Sequence, residues 1–132
     1  MRRKPAEDGT AAAWEAASGR EVAKIEGLTY INAVGFSPDS QWLAVAGRDN
    51  AVHILEVTTG REVAQLKHDG WVLAIAFSPD GRGLATGSQD STARIWDVAT
   101  RQEVTQLKHD NWVNSVSYSP DGRQLATASD DG

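Results

Sequence analysis

Apolar residues come in short runs that end at turn-forming residues, and nowhere along the chain do they recur at helical spacing. Val72-Leu73-Ala74-Ile75-Ala76-Phe77 puts Val72, Ala74 and Ala76 on one side of an extended chain and Leu73, Ile75 and Phe77 on the other, so both faces are apolar. Ser78-Pro79-Asp80-Gly81 closes the run with proline second and glycine fourth, which suits a type I turn. Leu84-Ala85-Thr86-Gly87-Ser88 follows, then the turn Gln89-Asp90-Ser91 and a third run, Thr92 to Asp97. Past Ala99-Thr100-Arg101 comes a fourth, Glu103 to Leu107. The pattern predicts four short strands joined by tight turns.

The same succession returns every 41 residues. Ser37-Pro38-Asp39, Ser78-Pro79-Asp80 and Ser119-Pro120-Asp121 are in register, as are Leu43-Ala44, Leu84-Ala85 and Leu125-Ala126. Residues 51–91 and 92–132 agree at 22 of 41 positions. The chain therefore divides into a tail at 1–9 and three repeats, 10–50, 51–91 and 92–132, with 12 strands expected in all. Four strands cannot bury a face alone, so the units must stack face to face around an axis. The fold class is all-β.

These repeats resemble the WD-repeat β-propeller family from Asp8 to Gly132. The residues that carry the resemblance are Leu66-Lys67-His68, Val72, Phe77-Ser78-Pro79-Asp80-Gly81, Leu84-Ala85-Thr86-Gly87-Ser88, Asp90 and Ile95-Trp96-Asp97. It implies radiating blades, no intrinsic chemistry, and a rim of loops that binds other proteins. It also implies a buried hydrogen-bond relay of His68, Ser88, Asp90 and Trp96, repeated at His109, Ser129 and Asp131. The unit from Gly27 to Leu55 departs from the pattern. Gly27 stands where the histidine belongs and Leu55 where Trp96 sits, which predicts a looser blade.

Composition narrows the chemistry. With 13 Lys+Arg against 18 Asp+Glu the net charge is −5, and no basic cluster offers a face for nucleic acid. Zero cysteines exclude disulfides, thiolate metal sites and cysteine nucleophiles. Met1-Arg2-Arg3-Lys4-Pro5 is not followed by the apolar segment of a signal peptide, and no window reaches the about 20 apolar residues of a membrane span. A soluble, cytoplasmic protein without membrane contact is expected. His53, His68 and His109 lie one per repeat without ligand spacing, and the glycines form no phosphate-binding motif, so neither metal nor cofactor is expected. His68, Ser88 and Asp90 have the residue types of a hydrolase triad. Nothing supplies an oxyanion hole, and the recurrence of the set once per repeat favours the structural relay. Ser37-Pro38, Ser78-Pro79 and Ser119-Pro120 have the form of phosphorylation sites, but turn-forming Ser-Pro-Asp accounts for them.

The binding candidates come from repeat position. Tyr30, Trp71 and Trp112 each precede a first strand. The resemblance places them on the narrow top face, together with Asn32, Leu73 and Asn114 and with Arg48, Gln89 and Asp130. Aromatics with a polar rim have the composition of an interaction hot spot. The expected function is a non-catalytic scaffold for a protein or peptide partner. Three units cannot close a ring of four to eight blades. Thr10 to Ile25 supplies third and fourth strands, Val113 to Ser129 first and second, so a homodimer of six blades is one expectation and a segment of a larger WD-repeat regulator the other.

Overall fold

The computed structural model describes residues 10–14, 16–26 and 30–130, with the backbone alone at 10, 11, 13, 14 and 22–26. The expected tail at 1–9, the departure at Gly27 and the relay position Asp131 lie outside the described residues. Twelve strands follow one another: β1 (Thr10–Trp14), β2 (Glu21–Glu26), β3 (Ile31–Phe36), β4 (Trp42–Gly47), β5 (Ala51–Glu56), β6 (Glu62–Lys67), β7 (Val72–Phe77), β8 (Gly83–Ser88), β9 (Thr92–Asp97), β10 (Gln102–Lys108), β11 (Val113–Tyr118) and β12 (Leu125–Ser129). They form two complete antiparallel blades, β3–β6 and β7–β10, and two half-blades, β1–β2 and β11–β12. This is an all-β, incomplete propeller. The 41-residue period is thus out of phase with the blades.

Each first hairpin carries a bulge at the same place. Val72 pairs with Ser88 and Ala74 with Gly87, so Leu73 is extra; Asn32 and Asn114 are extra in the same way. A bulge turns its side chain out of the ladder. Repeat-related bulges on the fourth strands single out Val63 and Val104.

Ser-Pro-Asp closes the first hairpin of each unit. Ser78 Oγ donates to Asp80 Oδ1 at 2.6 Å and accepts the Gly83 N–H at 2.9 Å, while the Gly81 N–H closes the turn onto the Ser78 carbonyl. Ser37 and Ser119 repeat these bonds. Gly81 sits at φ +76°, which glycine adopts freely, whereas Ser40 holds the same place at +64°. The Ser-Pro steps therefore use their hydroxyls inside the turn, and Ser37 and Ser78 are buried.

The core lies between blades. Ala44, Ala46, Val52, Ile54 and Leu66 of one complete blade pack on Val72, Leu84 and Trp96 of the next. Ala74, Ala85 and Ala93 then meet Val113 and Val116 of β11. Fully burying each of Leu66, Leu84, Val72 and Val113 stabilises by about 1.5–3 kcal/mol. The blades approach closely at Gly87, where a Cβ would stand 2.9 Å from Val113 Cγ1 and 3.0 Å from its carbonyl oxygen. First strands β3, β7 and β11 lie side by side, which brings the bulged edges of successive blades together.

Candidate functional site

Turn and bulge chemistry assembles one edge of the blades. The Arg48, Gln89 and Asp130 amides donate to the carbonyls of Tyr30, Trp71 and Trp112 at 3.2, 2.8 and 3.4 Å, so each turn is tied to the aromatic of its own blade. Arg48 also crosses to the next blade. Its guanidinium carbon is 4.5 Å from the Tyr30 ring centre and 4.2 Å from that of Trp71, within range for cation–π attraction to both. Asn32 Nδ2 donates to the Val72 carbonyl of the neighbouring blade, and Asn114 Nδ2 to Asp130 Oδ1 at 3.0 Å. Tyr30, Trp71, Leu73 and Gln89 are half-buried, while the Trp112 ring is 44% exposed. The structure thus gathers Tyr30, Arg48 and Trp71 into one stack, with Trp112 the open ring of the series.

Behind this edge lies the buried relay, and its hydroxyl is not the one expected. Thr86, not Ser88, occupies the middle. Trp96 Nε1–H donates to Thr86 Oγ1 at 3.0 Å, Thr86 Oγ1 lies 2.6 Å from His68 Nε2, and His68 Nδ1 lies 3.0 Å from Asp90 Oδ2. Thr86 points from β8 into the blade face that carries Trp96. Ser88, two residues further along and beside the bulge, donates to the Trp71 carbonyl at 2.8 Å and accepts the Asp90 N–H. The same correction holds one repeat later. His109 Nε2 is 2.8 Å from Thr127 Oγ1, and Ser129 donates to the Asn111 carbonyl. Threonines at His+18 in both repeats, and a valine of the same shape where histidine is replaced by Gly27, were the signal in the sequence.

Electrostatics fix the proton positions. Burial raises the Asp90 carboxyl, but hydrogen bonds from Thr92, His68 and the Asp69 amide outweigh it and hold its pKa down at about 2. Burial pushes His68 below the ordinary imidazole range against the pull of Asp90. A neutral His68 gives Nδ1–H to Asp90 and accepts the Thr86 hydroxyl at Nε2. Every donor then runs one way, from Trp96 through Thr86 and His68 to Asp90. The imidazole–hydroxyl–carboxylate series resembles a nucleophile triad, yet Thr86 is 0% exposed and Ser88 is equally buried. No substrate reaches either hydroxyl in this arrangement.

Arg94 anchors the other side of Asp90. Only 8% exposed, it donates to Thr92 Oγ1, Glu103, Asp90 and, at 3.4 Å, Asp69. In the preceding blade His53 takes its place, with Nε2 2.6 Å from Asp49 and Nδ1 2.5 Å from Glu62. Burial lowers the His53 pKa, but both carboxylates outweigh it and raise it above the ordinary value. At the Val45 and Leu55 positions, where the missing relay predicted looseness, Leu43, Val45 and Leu55 form a buried cluster with Ile31 and Val57.

Two further features bear on chemistry. Among the described residues no group of three His, Asp or Glu side chains is placed to hold a metal ion. A cleft of about 550 Å³ opens between the complete blades, its wall formed by Trp42, Ile54, Val63, Val98, Arg82 and Arg101. Trp42 stands in that wall because it starts β4 directly after the Ser-Pro-Asp turn.

No curated protein matches the chain. The family model for the WD domain, G-beta repeat, matches three segments, residues 19–55, 60–97 and 101–132. These cover most of the chain, and their spacing follows the 41-residue period and the blade architecture described above. The chain belongs to the WD-repeat family.

Proposed function

We propose that this protein is a non-catalytic interaction scaffold whose binding face is the bulged edge carrying Tyr30, Arg48, Trp71 and Trp112, with Asn32, Leu73, Gln89, Asn114 and Asp130 around them. WD repeats generally serve as platforms for protein partners. The observation that carries the reading for this chain is the exposed Trp112 ring, one repeat beyond the Tyr30–Arg48–Trp71 stack, beside turns tied to the blades by hydrogen bonds. A large aromatic on a preorganised frame loses little entropy on binding. The hydrolase reading needs accessible hydroxyls, and burial of Ser88 and Thr86 speaks against it.

A photo-crosslinking residue placed at 112 should capture protein partners in cells, whereas one at Arg123, on the opposite hairpin turn, should not. Capture from 123 alone overturns the reading. In the same proposal a second copy completes the ring, its β1–β2 adding to β11–β12. Residues Ala126 and Ala128 of β12 expose the apolar surface such pairing would cover. Light scattering near twice 14.2 kDa supports that ring, and a monomer at all concentrations overturns it.

A further inference from the structure

The three turns are built alike, but only one of them fills the space between neighbouring rings with a cation. Arg48 is tied to Tyr30 by its amide and lays its guanidinium against both Tyr30 and the next blade's Trp71. Gln89 stands in the same place one blade later, tied to Trp71, with Trp112 as the next ring. Strand β11 packs on β7 as β7 packs on β3, so Trp112 stands to Trp71 in repeat position as Trp71 stands to Tyr30. Gln89 is uncharged and shorter than arginine, and Trp112 is 44% exposed. Repeat position thus puts the second seat between two indoles, with Gln89 where the first seat has its cation.

Charge around this seat points the same way. The Asp69 carboxylate, two residues before Trp71, is 89% exposed, and its contact with Arg94 is a long 3.4 Å. Asp110 is exposed two residues before Trp112, and Asp130 is held beside that ring by its amide and by Asn114. The chain as a whole carries −5. Leu73, the bulged residue between these blades, adds a half-buried apolar contact for a side-chain stem. A planar guanidinium stacks on two aromatic faces while keeping its N–H edge free for carboxylates, which an ammonium cannot do.

We propose that the seat between Trp71 and Trp112 receives the guanidinium of an arginine from an extended segment of a partner protein, in the position that Arg48 fills one blade earlier. This deepens the interaction-face reading and rests on it. Asp69 and Asp130 steer the arginine in, and the indoles hold it. Arg48 itself supplies the specificity by negative example. Its positive charge closes the first seat to a second cation, so a single arginine is read per chain.

The test is selection of a random dodecapeptide display library on the full chain, followed by affinity measurement on the Trp112→Ala and Gln89→Arg variants. Gln89→Arg places the chain's own guanidinium in the seat and is the control should Trp112→Ala disturb the fold. The expected result is peptides with one arginine enriched at a fixed position, bound roughly tenfold more weakly by either variant. Replacing that arginine with citrulline, its neutral isostere, should cost a similar factor. Peptides that lack arginine yet depend on Trp112 overturn the arginine seat and leave the interaction face standing. Peptides indifferent to both variants, or no enrichment at all, overturn both.

Discussion

Where blade β7–β10 has Thr86 and Trp96, blade β3–β6 has Val45 and Leu55, and the histidine position that is His68 in the one is Gly27 in the other. The backbones are the same four-stranded meander with the same bulges. One blade seals this face with a directed chain of hydrogen bonds, the other with Leu43, Val45 and Leu55, buried as deeply. A relay removed as a set leaves no stranded donor, and replacing both partners of a buried hydrogen bond by apolar groups can be nearly neutral. The relay is therefore not what holds a blade of this type together. It makes each of its members indispensable to the others, and that is where the two blades should part under mutation.

Asp90→Ala should be the most damaging substitution. It removes the anchor of His68, Thr92 and the Asp69 amide and takes from the buried Arg94, which cannot lose its charge, the one buried carboxylate among its partners, leaving the more exposed Glu103 and Asp69. Breaking such a pair costs about 3–5 kcal/mol. Asp49→Ala in the other blade should cost only about 1 kcal/mol, because His53 can shed its proton and keeps Glu62. Urea midpoints measure the difference, and equal losses would refute the contrast. Next comes Thr86→Val, which preserves shape but strands the Trp96 indole N–H and His68 Nε2. It should cost about 1–3 kcal/mol. Adding His68→Gly and Trp96→Leu to it, the neighbouring blade's own set, should cost clearly less than the sum of the three single changes.

Strand positions and hairpin turns were legible because each repeats with a period that the pattern exposes, while the relay was expected only from the family resemblance. Ser88 was misread because it shares with Thr86 the strand, the face and the hydroxyl, and only reach to His68 and Trp96 separates the two. Bulges leave no mark in hydropathy when, as here, the whole run from Val72 to Phe77 is apolar. The stack of Arg48 on Trp71 was half legible. Its members were expected on one face from the family resemblance, but contact across blades depends on side-chain reach. The substitution of His53 for Arg94 between two carboxylates needed the register of three strands before its partners could be named.

That substitution gives the two blades opposite pH dependence. Below its unfolded value of 6.5 His53 is charged in both states, and its two ion pairs are fully present; because its folded pKa is raised, their contribution fades as pH rises through that higher value. His68 is lowered, so the unfolded chain binds a proton that the fold resists, and stability falls as pH drops below 6.5. Urea midpoints taken from about pH 5 to about pH 9 should decline on both sides, each limb by on the order of 1 kcal/mol. His53→Arg should flatten the alkaline limb and leave the acid limb in place. An unchanged alkaline limb in that variant would detach the limb from His53.

The smallest effect tests the blades at their shared edge. Arg48 joins blade β3–β6 to blade β7–β10 through Tyr30 and Trp71, while Gln89 makes no such bridge from blade β7–β10 to Trp112. Exposed cation–π contacts contribute about 0.5–1 kcal/mol, so Arg48→Gln should lower stability by that amount and make the indole of Trp71 more accessible to acrylamide quenching. The reciprocal change, Gln89→Arg, should raise stability by up to the same amount and reduce quenching of Trp112. If the two seats share one geometry, the double exchange should return the original stability with the protected indole moved one blade along. A double variant that loses stability without protecting Trp112 would show that the rings at the second seat stand further apart than those at the first.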